Sequence, residues 1–125
     1  MKMNVGYVTH NLQPCRDFYV QKLGFSVQFE NEWYVLLKAP DSGIEISFLQ
    51  PGLEFQAPVF QTAYNGKGTY LTIEVPDVEA LYGDFKERGI TIYRDLKNEE
   101  WGDHHFIVLD PNGTGLDFVT YRPTE

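Results

Sequence analysis

Alternating hydrophobic and polar positions predict eight short β-strands, four in each half of the chain. In the first half the predicted strands cover residues 5–9, 25–30, 32–40 and 43–49. In the second half they cover residues 69–75, 90–95, 105–110 and 115–121. Turn-forming glycines, prolines and asparagines separate these short segments.

Each half also contains one stretch in which apolar residues recur at helical spacing. Asn11 and Asp77 precede these stretches and are residue types that cap helix N-termini. Gly24 and Gly89 follow them, where glycine commonly ends a helix. The chain therefore has the order strand–helix–strand–strand–strand twice.

The two halves correspond at a nearly constant offset. Val5 in the first strand corresponds to Leu71, 66 residues later, and Gly24 corresponds to Gly89, 65 residues later. A constant offset across two kinds of element indicates an internal duplication. We expect one domain over residues 1–125.

Within that domain, the first module covers about residues 1–50 and the second about residues 69–122. The connection between them, residues 51–68, has no periodicity and contains Pro51 and Pro58. Its apolar side chains are too many for a free linker. We expect part of the connection to pack on the fold or to cover a site.

Strand alternation places two carboxylates on the sheet face away from the helices. Asp117 lies opposite Leu116 and Phe118, and Glu45 alternates with Ile44 and Ile46. Tyr70 lies on the corresponding face of its strand, opposite Leu71. The turn Asp110-Pro111-Asn112-Gly113, whose residues suit a tight turn, joins the last two strands.

Composition limits the classes of partner. The formal net charge of −8 disfavours nucleic acid, whose phosphates require clustered basic residues, and is compatible with a cationic ligand. No apolar run is long enough to span a membrane, and the N-terminus lacks the apolar core of a signal peptide, so a cytoplasmic protein is expected. The single cysteine, Cys15, excludes an internal disulfide and is predicted to be a buried core thiol.

Each module contains one further motif. The first module contains Phe18-Tyr19…Leu23-Gly24-Phe25, and the second contains Trp101-Gly102…Phe106…Asp110-Pro111-Asn112-Gly113. These motifs resemble those of the vicinal oxygen chelate superfamily, which includes glyoxalase I, bleomycin-resistance proteins, extradiol dioxygenases and fosfomycin-resistance enzymes. The resemblance covers the chain from about Asn4 to Tyr121. It implies an α+β fold of two tandem βαβββ modules that form a curved mixed sheet around a concave pocket, often in a homodimer.

The resemblance also implies four positions for metal ligands, which in this chain hold Asn4, Glu45, Tyr70 and Asp117. The positions where metal-dependent members carry histidine hold an amide and a phenol, which are a poor set for a transition metal. We therefore expect no metal cofactor. A divalent ion, if bound, would use Glu45 and Asp117, with His105 as a further candidate.

Other polar residues have a simpler explanation. His104 and His105 are adjacent, so on a strand they point to opposite faces and cannot both bind one ion. We interpret them, with His10, as surface or rim histidines. The acidic residues near Trp101 form either a solvated charged face or an acidic rim beside an aromatic wall.

The preferred hypothesis is a metal-free binding protein, similar to bleomycin-resistance proteins, for a small aromatic or cationic molecule. The candidate ligand-binding residues are Glu45, Tyr70, Asp117, Trp101 and Asn4, with Trp33 and Tyr121 as aromatic wall. The alternative is a metal-dependent lyase, isomerase or dioxygenase of the glyoxalase type that uses Glu45 and Asp117. A third possibility is a scaffold or sensor without chemistry. A role in antibiotic resistance is also expected, and it is implied by the resemblance alone.

Overall fold

The computed structural model describes residues 1–122, and its chain divides into two compact units, Met1–Asn65 and a second that begins at Gly66. The first unit contains β1 (Val5–Val8), α1 (Leu12–Asp17), β2 (Ser26–Glu30), β3 (Tyr34–Lys38) and β4 (Glu45–Leu49). The second contains β5 (Tyr70–Glu74), α2 (Val78–Glu87), β6 (Arg94–Asn98), β7 (Asp103–Leu109) and β8 (Gly115–Tyr121). Grouping both units into one domain stays a prediction.

Each unit forms a four-stranded mixed sheet with the same topology. The strand order is β1-β4-β3-β2 in the first sheet and β5-β8-β7-β6 in the second. The first and last strands of each unit run parallel, and the other neighbours run antiparallel. The predicted α+β class and the two βαβββ modules are therefore confirmed.

An aromatic cluster joins helix and sheet in the first unit. Helix α1 continues as a π-helical turn, Phe18–Lys22, which brings Tyr19 against the sheet. The Tyr19 ring lies 5.5 Å from that of Phe48, and both side chains are fully buried. Because burying one such side chain contributes roughly 1.5–3 kcal/mol, these residues fix which face of β4 meets the helix.

The second unit repeats this arrangement with phenylalanines. Phe85 of α2 packs edge-on against Phe106 and Phe118, at ring-centroid distances of 5.6 and 5.2 Å. Asp77 caps this helix as predicted, since its Oδ1 accepts a hydrogen bond from the Ala80 N–H at 3.1 Å. Asn11 occupies the N-cap position of α1 as predicted, but its side chain makes no capping hydrogen bond. The backbone N–H of Asn11 donates to the Thr9 hydroxyl.

The strand predicted at 90–95 is displaced, because β6 starts only at Arg94. Gly89, at φ 73°, ends α2, and the N–H of Ile90 donates to the Phe85 carbonyl at 2.9 Å. This is the backbone pattern of a Schellman motif, in which the second residue after the helix makes a hydrophobic contact. Ile90 is accordingly buried, and its apolar side chain belongs to the helix end rather than to a strand.

The connection between the modules packs on the first unit in part, as expected. Tyr64 donates its backbone N–H to the Val8 carbonyl at 2.8 Å, and its ring lies 5.0 Å from that of Tyr7. In contrast, Phe55 and Val59 are exposed. Within residues 1–122, no helix has the length and apolar character to cross a membrane.

The predicted turn between β7 and β8 is held by a buried carboxylate. The Oδ1 of Asp110 accepts hydrogen bonds from the N–H groups of Asn112 and Thr114, at 2.9 and 3.0 Å. Gly113 supplies the positive φ, 81°, that closes the turn. The turn therefore sets the register of β7 against β8.

We expect Asp110→Ala to lower the free energy of unfolding by about 2 kcal/mol, because one buried and one part-buried N–H group lose their acceptor. The Asp77→Ala variant removes one exposed cap contact and should cost only about 1 kcal/mol. Urea denaturation of both variants measures the difference. An Asp110→Ala protein as stable as the wild type would contradict this role of the turn.

Candidate functional site

The sheet face opposite the helix, here called the helix-distal face, carries the predicted site residues of β4, β5 and β8. In the first unit Phe48 faces the helix, so alternation places Glu45 on the helix-distal face. In the second unit Phe118 faces α2, and Asp117 lies on the opposite side. Tyr70 shares that face, since it pairs in register with Gly115, two residues before Asp117. These positions agree with the strand alternation.

Glu45 already has a cationic partner. Its side chain is 11% exposed, and its Oε1 lies 2.9 Å from the Nζ of Lys2, which is itself largely exposed. Asn4 is exposed and lies one residue before β1, next to the register pair of Val5 with Ile46. This end of the first sheet therefore carries a neutralised carboxylate beside an amide.

Asp117 forms a close pair with His105 of the neighbouring strand. The His105 Nδ1 lies 2.6 Å from Asp117 Oδ1, with the side chains 16% and 22% exposed. Because an ionised carboxylate only accepts hydrogen bonds, Nδ1 is the nitrogen that carries the proton. The other ring nitrogen, Nε2, lies 3.7 Å from Glu99, beyond hydrogen-bond distance.

The interpretation of His104 as a surface or rim histidine is wrong, whereas His105 has an intermediate exposure and lines a cavity. His104 is buried on the helix side, where its Nε2 lies 2.9 Å from Oε1 of Glu79 on α2. His105 is mostly buried on the helix-distal face. Each imidazole tolerates burial because a carboxylate is within hydrogen-bond distance. The two do point to opposite faces as predicted, and His10 is exposed.

Glu99 lies near the Asp117–His105 pair and has a basic partner of its own. Lys97 Nζ lies 2.9 Å from Glu99 Oε1. The hydrogen bond from Lys97 lowers the pKa of Glu99 below its ordinary value of 4.5, and the charges of Lys97 and His105 act in the same direction, while desolvation opposes them. The helix-distal side of β7 and β8, together with the end of β6 and the residue after it, thus carries alternating basic and acidic side chains: Lys97, Glu99, His105 and Asp117.

The first unit carries a row of aromatic rings, here called the aromatic row: Phe29, Tyr34, Trp33 and Phe55. Consecutive ring centroids along it lie 6.1, 6.2 and 5.0 Å apart. Tyr34 belongs to β3 and alternates with buried Val35, so it faces away from the helix. Phe29 also faces away from the helix, because it pairs with Leu36, which lies on the same side of β3 as Tyr34. Its outer members, Phe29 and Phe55, are 54% and 66% exposed.

The remaining aromatic candidates lie in the second unit and are exposed. Tyr70 stands beside the start of β8, whereas Tyr121 stands at its end and pairs with Asp103. Trp101 lies in the turn between β6 and β7, and the Arg122 N–H joins β8 to that turn through the carbonyl of Gly102. The structure therefore groups Tyr70 with Asp117, and Trp101 with Tyr121, at different ends of one sheet.

The residues at the four expected ligand positions do not fit a transition metal. Asn4 and Tyr70 offer an amide and a phenol, and the carboxylates of Glu45 and Asp117 are already paired with Lys2 and His105. Across the described part of the chain, no group of three or more His, Cys, Asp and Glu residues could hold a metal ion.

Three comparisons with known proteins bear on the chain as a whole. The sequence model of the family described as Glyoxalase/Bleomycin resistance protein/Dioxygenase superfamily matches residues 4–118. A search of curated proteins finds no match. Solved structures supply similar folds, of which three are described next.

A glyoxalase/bleomycin resistance protein/dioxygenase from Nocardioides is 18% identical, with a TM-score of 0.78, over 100% of this chain and 89% of that one. TnmS3, an antibiotic binding protein from Streptomyces sp. CB03234, is 17% identical with a TM-score of 0.73, over 97% of this chain and 96% of that one. A glyoxalase/bleomycin resistance protein/dioxygenase from Alicyclobacillus acidocaldarius is 21% identical with a TM-score of 0.69, over 97% of this chain and 91% of that one. At these identities the similarity shows the fold.

We expect a double-mutant cycle of His105→Gln and Asp117→Asn to give a coupling energy of about 1–3 kcal/mol in unfolding, because the pair is close and mostly buried. The matched control is the exposed pair of Arg88 and Asp84, at 3.1 Å, for which about 0.3–0.5 kcal/mol is expected. Equal coupling in the two cycles would contradict a specific Asp117–His105 hydrogen bond.

Acid should weaken the contribution of Glu99 to stability. Because the folded state lowers the pKa of this carboxyl group, its contribution is fully present above the unfolded value of 4.5 and is lost as pH falls through the lower folded value. Lys97→Gln removes the main cause of the lowered pKa. We therefore expect the variant to be less stable than the wild type near neutral pH and the difference to shrink at about pH 3. Urea titrations at the two pH values test this, and a difference independent of pH would refute it.

Proposed function

Because the chain belongs to the glyoxalase/bleomycin resistance protein/dioxygenase superfamily, we propose that it binds a small aromatic molecule on the helix-distal face of its sheets, without a metal. This membership confirms the resemblance seen in the sequence motifs. The superfamily scaffold supports several chemistries, so the proposal rests on the side chains present here.

The aromatic row is the observation that carries the proposal. Its four rings extend from edge strand β2 across β3 to the connection, and the outer two, Phe29 and Phe55, are more than half exposed. Exposed rings in a continuous row offer a planar ligand offset or edge-on stacking, which adds about 0.5–1.5 kcal/mol per ring pair beyond area burial. Isolated exposed rings would need no such explanation.

Charge supports an aromatic ligand over a cationic one. Lys2 lies 2.9 Å from Glu45, and His105 lies 2.6 Å from Asp117. A ligand cation must therefore compete with a protein group for either carboxylate. Of the two ligand classes expected from the sequence, the aromatic one needs no such exchange.

The other sequence-derived site residues enter the proposal as polar or aromatic contacts. In the first unit, Glu45 and Asn4 would orient a ligand, while Trp33 forms part of its wall. In the second unit the proposed contacts are Tyr70, Asp117, Trp101 and Tyr121. The exposure of Tyr70, Trp101 and Tyr121, at 72%, 64% and 52%, leaves their rings accessible to a ligand.

One similar structure is described as an antibiotic binding protein, which supports an organic ligand here as well. We also propose a homodimer, since Phe60 of the connection, which is outside the aromatic row, exposes apolar surface of the kind that subunit contacts cover. Cytoplasmic location and a role in antibiotic resistance stay predictions from the sequence.

The second candidate function is a metal-dependent lyase, isomerase or dioxygenase. The observation that favours it is the pairing of an imidazole, His105, with the carboxylate of Asp117, since these are ligand types that divalent metals use. Metal analysis of protein purified without chelator discriminates the two functions. Stoichiometric metal would favour the enzyme, and a metal-free protein after incubation with Mn²⁺, Ni²⁺, Zn²⁺ and Fe²⁺ would eliminate it.

Fluorescence tests the proposed aromatic site, because a Trp101→Phe background leaves Trp33 as the one remaining tryptophan of two. Titration with bleomycin or with neutral planar compounds such as anthraquinone should change Trp33 emission in a saturable manner. Phe55→Ala removes the ring 5.0 Å from Trp33 and should raise Kd about tenfold.

The matched control is Val59→Ala, which trims an exposed apolar side chain of the same connection outside the aromatic row. It should leave Kd unchanged. The proposal fails if Phe55→Ala and Val59→Ala bind a ligand equally well, or if no compound changes the emission of the folded protein.

A further inference from the structure

A β-bulge in the second sheet places two basic side chains on one face. Arg94 pairs with Ile107 and Lys97 pairs with His105, so three residue steps on β6 match two on β7. In a regular strand, residues three apart point to opposite faces. The extra residue of the bulge brings Arg94 and Lys97 onto the helix-distal face, beside His105.

A cavity of about 70 Å³ lies at this bulge, and its walls include Arg94, Lys97, Glu99, His105 and Ile107. A cavity of roughly 150 Å³ binds benzene, and a water molecule takes about 30 Å³ in the liquid. The cavity is therefore too small for an aromatic ring and large enough for a few waters or one compact polar group. A cavity of this size cannot hold the aromatic ligand that is proposed for the aromatic row.

The acidic groups of the cavity wall, Asp95 and Glu99, and the carboxylate of Asp117 beside His105 all have hydrogen-bond or ion-pair partners. Glu99 pairs with Lys97 at 2.9 Å, Asp117 pairs with His105 at 2.6 Å, and Asp95 accepts a hydrogen bond from the Tyr82 hydroxyl at 2.9 Å. The basic side chains at the cavity still have hydrogen-bond donors available. One contact of Lys97 accounts for one of the three protons of its ammonium group.

Arg94 differs from the other arginines of the protein. Arg16, Arg88 and Arg122 each have a carboxylate oxygen within 3.4 Å, on Glu30, Asp84 and Glu79. Arg94 has no ion-pair partner within residues 1–122. Its guanidinium offers five donors in a planar fork that matches the geometry of a carboxylate or a phosphate.

We propose that this cavity binds an oxyanion, a carboxylate or a phosphate group of a small molecule, with Arg94 as its main donor and Lys97 as a second. The overall charge of −8 opposes the approach of an anion at long range. That field is screened beyond about 8 Å at physiological ionic strength, so the two nearby cations decide binding. The site does not depend on the proposed aromatic ligand, because Arg94 and Lys97 are not among the contacts proposed for that ligand.

The test is a titration of isotope-labelled protein with sodium phosphate and, separately, with sodium acetate, followed by amide chemical shifts at constant ionic strength. At least one of these anions should shift the amides of β6 and β7 in a saturable manner, with a Kd on the order of 1 mM. The anion that binds with the lower Kd identifies the class of oxyanion, phosphate or carboxylate. Sodium chloride at the same ionic strength should leave these amides unchanged.

Arg94→Gln should weaken binding at least about tenfold, because it removes the charge and the fork. Arg94 is exposed, so the variant should keep the dispersed spectrum of the folded protein. Arg88→Gln is the matched control, since it removes a paired arginine of helix α2 and should bind as the wild type does. Wild-type affinity in Arg94→Gln, or no saturable shift with either anion in the folded wild type, would overturn the proposal.

Discussion

The rest of the structure depends on the packing of one helix against one face of each sheet through aromatic side chains. Tyr19 against Phe48, and Phe85 against Phe106 and Phe118, fix which residues of each strand are buried. Because side chains alternate along a strand, the same contacts force Glu45 and Asp117 onto the opposite faces. Slipping either strand by one residue would bury a carboxylate against a helix. The position of the candidate site is thus a consequence of core packing.

On the helix-distal face the constraint is electrostatic. A carboxylate that is mostly shielded from water needs a cation or hydrogen-bond donors, and Lys2 and His105 meet that need for Glu45 and Asp117. The accessible side chains of the first unit include the aromatic row, and in the second unit Arg94 has no ion-pair partner within residues 1–122. Glu45 and Asp117 therefore each have a partner within the fold, with which a ligand must share them. The first unit offers a ligand exposed rings, and the second unit by itself offers a basic cavity.

Most of the fold could be predicted because its signals are local. Strand alternation, the Asp77 cap and the Asp110-Pro111-Asn112-Gly113 turn each occupy a few consecutive residues. Strand β6 was misplaced since its sequence, RDLKN, has little hydrophobic alternation and the preceding Ile90 belongs to a helix end.

The contacts of the candidate site were harder to predict, because they connect residues that are far apart in the sequence. Strand register brings these residues together. The Asp117–His105 pair could have been found by counting back from the turn, which pairs Asp117 with Ile107, next to His105 on the same face. The shared face of Arg94 and Lys97 follows from a bulge that carries no sequence signal.

The central claim is that an aromatic ligand binds this superfamily scaffold without a metal, and thermal unfolding tests it most directly. Protein stripped of divalent ions with EDTA would be melted with a panel of planar aromatic compounds and, separately, with Mn²⁺, Ni²⁺, Zn²⁺ and Fe²⁺. Binding to the folded state raises the melting temperature by mass action. The account predicts a rise with at least one aromatic compound in the absence of metal. A large rise with one metal ion, and none with any organic compound until that ion is restored, would contradict it.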